Sequence, residues 1–233
     1  MEISTARVAE LERANYAATV PSSKVTPSLD VVLRDDVILT RSTAFPTEDS
    51  NHACLLLSTA ESANDLTGEI CEFFERKGLP VAIYLSPACV PTDLGDRLLE
   101  QGFCEQPGAE TWMVLDDLPN FRIPSPHPGI TVRKIGGEEV TLFSEVFLTA
   151  FGMPSSFAPV LAKLMEPSVG LPNASHYVGF EDGEPVGTCS LLSHGRFGVL
   201  GSAGVLPEHR RRGAATNLAI RAVSDARAQD IET

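Results

Sequence analysis

The residues of this chain best suited to chemistry lie near its end, where Val205 to Thr216 read VLPEHRRRGAAT. Arg210, Arg211 and Arg212 stand in a row and are followed by Gly213, Ala214 and Ala215. An apolar run, GVLGSAGVL, leads in, and the spacing of an amphipathic helix follows. A helix beginning near Gly213 exposes first-turn N–H groups that have no partner inside the helix. Its dipole adds partial positive charge at the same end. Gly213 and the small Ala214 and Ala215 let a ligand approach the backbone, and the arginines add fixed charge. Together these features suit a pyrophosphate. Arginines at a helix start gain nothing from the dipole, so a merely solvated turn explains them less well than an anion does.

Other side chains carry weaker signals. His176 and His194 flank an expected hairpin and read as loop histidines before they read as bases. His209 sits inside the corner, where a phosphate contact and a surface position are equally compatible with it. Glu181, Asp182 and Glu184 belong to a turn and serve first to solvate it. Trp112 reads as a core residue on a strand. Phe147, Phe151 and Met153 end a helix and read as packing. Asn51-His52 precedes a strand, and the asparagine suits a turn. The five cysteines (Cys54, Cys71, Cys89, Cys104, Cys189) form no C-x-x-C pair. Most of them read as buried thiols in a reducing compartment, and the set as neither a zinc site nor a disulfide framework.

The elements that must position the corner follow from periodicity. Residues 4–19 read as a helix capped by Ser4 or Thr5. Residues 29–40 read as two strands around Asp35-Asp36, and 52–59 as a third. Leu66, Ile70, Phe73 and Phe74 recur at helical spacing over 62–77. Residues 79–86 read as a buried strand, 93–101 as a helix and 111–118 as a strand. The stretch NFRIPSPHPG has a boundary composition and marks a linker over 120–128. The second half then predicts a strand over 130–135, helices over 136–152 and 155–166, a hairpin over 176–193, a strand over 196–206 and a helix from Gly213 to 229. The class is α/β (α+β): a mixed, mainly antiparallel sheet flanked by helices, in two halves.

Composition narrows the functions. The chain has 233 residues and 43% hydrophobic content, enough for one large or two small cores. Its 31 acidic residues outnumber 18 basic ones, a net charge of −13, which argues against nucleic-acid binding. No basic region followed by an apolar core opens the sequence, and no apolar run approaches the roughly 18 residues of a membrane span. The expectation is a cytoplasmic protein with no membrane partner and no metal.

The pattern Val205-x-Pro207-x-x-Arg210-x-x-Gly213-x-Ala215 resembles the acetyl-CoA signature of the GNAT superfamily of N-acetyltransferases. The Asp182-Gly183-Glu184-Pro185-Val186-Gly187 hairpin and the order of elements over about residues 129–229 resemble it too. The resemblance implies an acetyl-CoA-dependent N-acetyltransferase acting on a primary amine of a small molecule or peptide. Backbone amides from Arg211 to Ala215 would hold the pyrophosphate, with Arg210 and Arg212 beside them. Ala203, Gly204 and Val205 would pair with the pantetheine arm. The region of Phe147, Phe151 and Met153 would lie near the acceptor. No residue is identified as catalytic, because Tyr16, Tyr84 and Tyr177 all precede the motif, whereas the family's acid is a tyrosine after it.

Residues 29–118 resemble a degenerate copy of the same fold, with LLEQGF at 98–103 similar to a family segment. The expected organisation is therefore a tandem: a degenerate domain over 1–119, a linker over 120–128 and a coenzyme-binding domain over 129–233 that lacks its last strands and helix. A homodimer would cover the open sheet edge. In the alternative arrangement, strand 79–86 completes the second half as in a permuted single domain. In the alternative function, the fold is a non-catalytic coenzyme A-binding or assembly protein.

Overall fold

The structure is a computed structural model and describes residues 3–45, 47–108 and 110–233. It divides into two compact units at Met113/Val114.

In the first unit, Ser4 caps helix α1 (Thr5–Ala17) by accepting a hydrogen bond from the Arg7 N–H at 3.2 Å. Helix α2 (Val20–Val25) carries Pro21 in its first turn, where its missing N–H costs nothing. Strands β1 (Leu29–Leu33), β2 (Ile38–Ser42) and β3 (His52–Cys54) pair antiparallel. Strand β4 (Ile83–Tyr84) joins β3 in parallel, and helix α3 (Ala63–Glu75) supplies the crossover that a parallel pair requires. Helix α4 (Leu94–Glu100) follows. Leu66, Ile70 and Phe74 of α3 bury against Val37, Leu39, Ala53 and Leu56.

Three expectations change here. The third strand stops at Cys54 because Leu55 takes a left-handed φ of 49°. The strand expected over 79–86 shortens to β4, which is half-buried. Residues 111–118 form no strand: Trp112 is 47% and Met113 94% exposed, and Leu118 buries in a cluster with Tyr177 and Leu191 without joining the sheet.

The second unit has strands β5 (Ile130–Lys134), β6 (Ala174–Glu181), β7 (Glu184–His194) and β8 (Phe197–Val205), antiparallel in that order. Asp182 and Gly183 turn the β6–β7 hairpin with φ of 52° and 88°, the handedness that matches strand twist. Helices α5 (Val140–Ala150) and α6 (Ala158–Met165) lie between β5 and β6 in sequence, and α7 (Ala214–Arg227) follows β8. Alternation along β6 sorts the core. Val178 and Phe180 join Val140 and Phe143 of α5, while Tyr177 joins Leu218, Ala222 and Ala226 of α7.

The boundary falls before the proline-rich stretch, not within 120–128. Leu118 buries in the cluster of α7, and Arg227 donates to the Leu118 carbonyl at 2.7 Å and to that of Phe121. The edge of β8 expected to stand open is partly paired. Gly198 N–H donates to Thr233 O at 2.8 Å, Glu232 N–H donates to Arg196 O at 2.9 Å, and Leu118 N–H donates to Glu232 O at 2.9 Å.

Candidate functional site: a cleft at the end of strand β8

Strand β8 loses register against β7. Ser190 faces Gly201, but Thr188 faces Gly204, so one extra residue sits on β8. Ser202 absorbs it with φ 49°, and Thr188 Oγ1 donates to the Ser202 carbonyl at 2.9 Å. Such a bulge bends the strand and leaves it unpaired locally. A cleft of about 540 Å³ opens beside it. Ala203, Gly204 and Val205 form one wall, Ala150 and Phe151 from the end of α5 another, and Ala215, Leu218 and Ala219 of α7 a third. Gly204 is required for the close approach: a Cβ there would lie 2.9 Å from Ala150 Cβ.

The corner connects β8 to α7. Pro207–His209 make one turn of 3-10 helix. Arg211 and Gly213 then take φ of 64° and 95°. Gly213 is the N-cap residue of α7 and offers no side chain to cap it, and the first turn holds no acid. The first intrahelical bond is Asn217 N–H to Gly213 O at 2.9 Å, so the amides of Ala214, Ala215 and Thr216 precede the ladder. The start of α7 thus lies directly after the arginine row, and Ala215 also lines the cleft.

The three arginines differ in what they do. Arg210 Nε donates to Val205 O at 3.1 Å, and its Nη2 donates to Ala150 O at 2.9 Å. Arg212 Nη1 lies 3.4 Å from Glu181 Oε2. His209 Nδ1 lies 2.6 Å from the same carboxylate oxygen. The His209 contact first, with Arg212 beside it, holds the Glu181 carboxyl below its ordinary value against the opposing effect of burial. Glu181 is thus more than a turn solvator, because it anchors the corner from the hairpin.

Asn217 is a residue of the corner that the motif does not single out. Its Oδ1 accepts from His127 N–H at 2.7 Å, and its Nδ2 donates to His127 O at 3.0 Å and Ile130 O at 2.9 Å. This staples the segment before β5 against the corner, so that a Cβ on Gly213 would sit 2.7 Å from His127 Cβ. An asparagine on a helix face otherwise reading Leu-Ala-Ala was the available hint.

The remaining candidates lie elsewhere or act structurally. His176 is buried and bonded to Ser168 Oγ at 3.0 Å and Ser190 Oγ at 2.8 Å. Burial, with Lys134 nearby, pushes its imidazole down to about 4, so at neutral pH it is an uncharged core group rather than a loop histidine. His194 ends β7 and is exposed. Phe147 and Phe151 contact each other with ring centroids 4.7 Å apart, and Phe151 lies in the cleft wall, 54% exposed. Burial pushes the Cys189 thiol at the cleft up to about 12, so it stays protonated. Tyr177 donates to Asp225 at 2.8 Å. In the first unit, Trp112 donates to Glu110 at 3.1 Å and is not core. Asn51 is buried, accepting from Ser42 N–H at 2.9 Å and donating to Phe45 O and Thr47 O.

The model of the acetyltransferase (GNAT) family matches residues 142–233. A search of curated proteins found no match. Among solved structures, a GCN5-related N-acetyltransferase from Kribbella flavida shares 15% identity over 97% of this chain and 82% of its own, with a TM-score of 0.66. A functionally unknown conserved protein from Staphylococcus epidermidis ATCC 12228 shares 12% identity over 93% of this chain and 86% of its own, with a TM-score of 0.58. At such identities the likeness is one of fold. Residues 142–233 therefore carry the sequence pattern of the GNAT acetyltransferases, and nearly the whole chain folds like a solved GCN5-related N-acetyltransferase.

Proposed function

We propose that the second unit binds acetyl-CoA and transfers its acetyl group to a primary amine. The observation that carries this reading is the uncapped, acid-free start of α7 at a corner that opens into the cleft of the bulged strand β8. Amides from Arg211 to Ala215 are the pyrophosphate ligands, with the charges of Arg211 and Arg212 beside them. Ala203, Gly204 and Val205 are the strand residues for the pantetheine arm. When bound, acetyl-CoA supplies an activated thioester. The chain's part is to orient it and to exclude water. The protonated Cys189 thiol favours direct attack by the amine over an acyl-cysteine step.

The first unit is, in this reading, a degenerate copy of the same fold. A four-stranded sheet in each unit supports the tandem. Five free cysteines suit a reducing, cytoplasmic setting.

Calorimetric titration of the full chain with acetyl-CoA tests the reading, with Arg211→Glu/Arg212→Glu as the comparison. One site per chain in the parent and none in the variant is expected, followed by turnover on a panel of amines. Absence of binding by a folded parent would refute it.

A further inference from the structure

The Arg210 guanidinium is spent on the backbone. Its two acceptors come from opposite walls of the cleft. Ala150 is the last residue of α5, so its carbonyl is one of the four that a helix end leaves without an internal partner, at the negative end of the dipole. Val205 is the last residue of β8. Leu206 N–H donates to Val186 O on β7 at 2.9 Å. One residue earlier, the Val205 carbonyl therefore points away from β7, toward the open edge. Ala150, Val205 and Arg210 all line the same cleft.

We propose that Arg210 is a positioning residue and not a phosphate ligand: it braces the end of β8 against the end of α5 and so fixes the spacing of the walls between which the coenzyme lies. The proposal rests on the coenzyme reading for its purpose, but the brace itself does not depend on it. Only a planar, forked cation reaches both carbonyls at once. A lysine keeps the charge and loses the fork. Turning the guanidinium to a phosphate would leave the helix-end carbonyl and the strand-end carbonyl without this donor, a cost comparable to the strength of the new phosphate bond.

Amide hydrogen exchange on the full chain tests the brace directly. The reporters are Phe151, Gly152 and Met153, whose N–H groups close the last turn of α5 on Phe147, Thr149 and Leu148. Both Arg210→Lys and Arg210→Gln should speed exchange there by about tenfold, while Arg211→Gln leaves it unchanged. Unchanged exchange in the two Arg210 variants would overturn the proposal. Acetyl-CoA titration at several salt concentrations adds the functional arm. Lysine should weaken binding as much as glutamine does, with the salt dependence of the parent retained. Recovery of affinity by lysine, or a shallower salt dependence in the glutamine variant, would reveal a phosphate contact and overturn the proposal. A folded parent that binds no acetyl-CoA would remove the coenzyme reading, and the exchange result would still decide the brace.

Discussion

Strand β3 of the first unit and strand β8 of the second are interrupted in the same way, by one residue with a left-handed backbone: Leu55 and Ser202, each with φ 49°. In β8 the chain advances from Gly201 to Gly204 while β7 moves from Ser190 to Thr188. In the first unit it advances from Cys54, opposite Ile38, to Leu57, whose N–H reaches Asp36 O at 2.8 Å. Each strand thus carries one extra residue, and each leads into a helix. The two corners beyond the bulges are unlike. From Ser202 to the first residue of α7, Ala214, is a longer path than from Leu55 to the first residue of α3, Ala63. The shorter corner has no arginine and no glycine. Thr59 and Ser62 bond to each other's backbone N–H at 3.1 and 3.3 Å, and Asp65 stands in the first turn of α3. The Ser62 side chain makes no cap bond to the first turn, but Ala63 N–H already donates to Thr59 O at 3.0 Å and Asp65 brings negative charge, so this helix start has less to offer a phosphate.

The space beside the bulge differs as well. In the second unit it is the cleft. In the first, Glu12 of α1 is buried near Leu55, and its carboxylate accepts from Ser86 Oγ at 2.7 Å. A bulge frees a backbone amide, and the fold then either satisfies that amide from within or leaves it to a ligand.

The largest expected effect breaks the comparison at the corner. Gly213→Val combines a forbidden φ with a Cβ too close to His127. It should weaken acetyl-CoA binding on the order of 1,000-fold in a calorimetric titration while the first unit still melts as in the parent. Parent-like affinity would place the site outside this corner and void the contrast.

Two buried titratable groups, one in each unit, should respond to pH in opposite directions. His176 is depressed from its ordinary 6.5 to about 4 by burial first and Lys134 second. The unfolded chain therefore binds the proton more readily, and the second unit should keep its full stability above about 6.5 and lose it as pH falls toward 4. The loss is roughly 3 kcal/mol from this group. Thermal unfolding of His176→Gln across that window should show a flatter dependence; an identical slope would contradict the assignment.

The smallest effect concerns Glu12, whose carboxyl burial raises above its ordinary 4.5. Here the folded state holds the proton more tightly. Stability from this group is present at low pH and is lost as pH rises through the raised value. Glu12→Gln keeps an acceptor for Ser86 without the charge. It should raise the melting temperature of the first unit at pH 7 by a few degrees and leave it unchanged near pH 4. It should not create a second acetyl-CoA site, because the short corner stays acidic. A stoichiometry of two would show that Glu12 alone separates the units.

Much of the fold was legible in the sequence because its signals are local. The i, i+4 recurrence of Leu66, Ile70 and Phe74, the Asp182-Gly183 turn and the glycine at the start of α7 each act within a few residues. Their elements form where expected. Residues 111–118 had the composition of a strand but lack a sheet partner in the structure, and composition does not reveal a partner. The early unit boundary depends on Leu118 burying against α7, more than a hundred residues later.

The corner shows the same division. The sequence by itself determined that three arginines, a glycine and two alanines meet at a strand-to-helix turn, because type and spacing along the chain fix both the helix start and its exposed amides. Only the tertiary structure decided that Arg210 turns inward to Ala150, that Glu181 takes His209 and Arg212, and that Asn217 brings His127 against Gly213. Those contacts join residues about thirty to ninety positions apart. Each is selected by the packing of helices and strands that have already formed, so no local pattern encodes it.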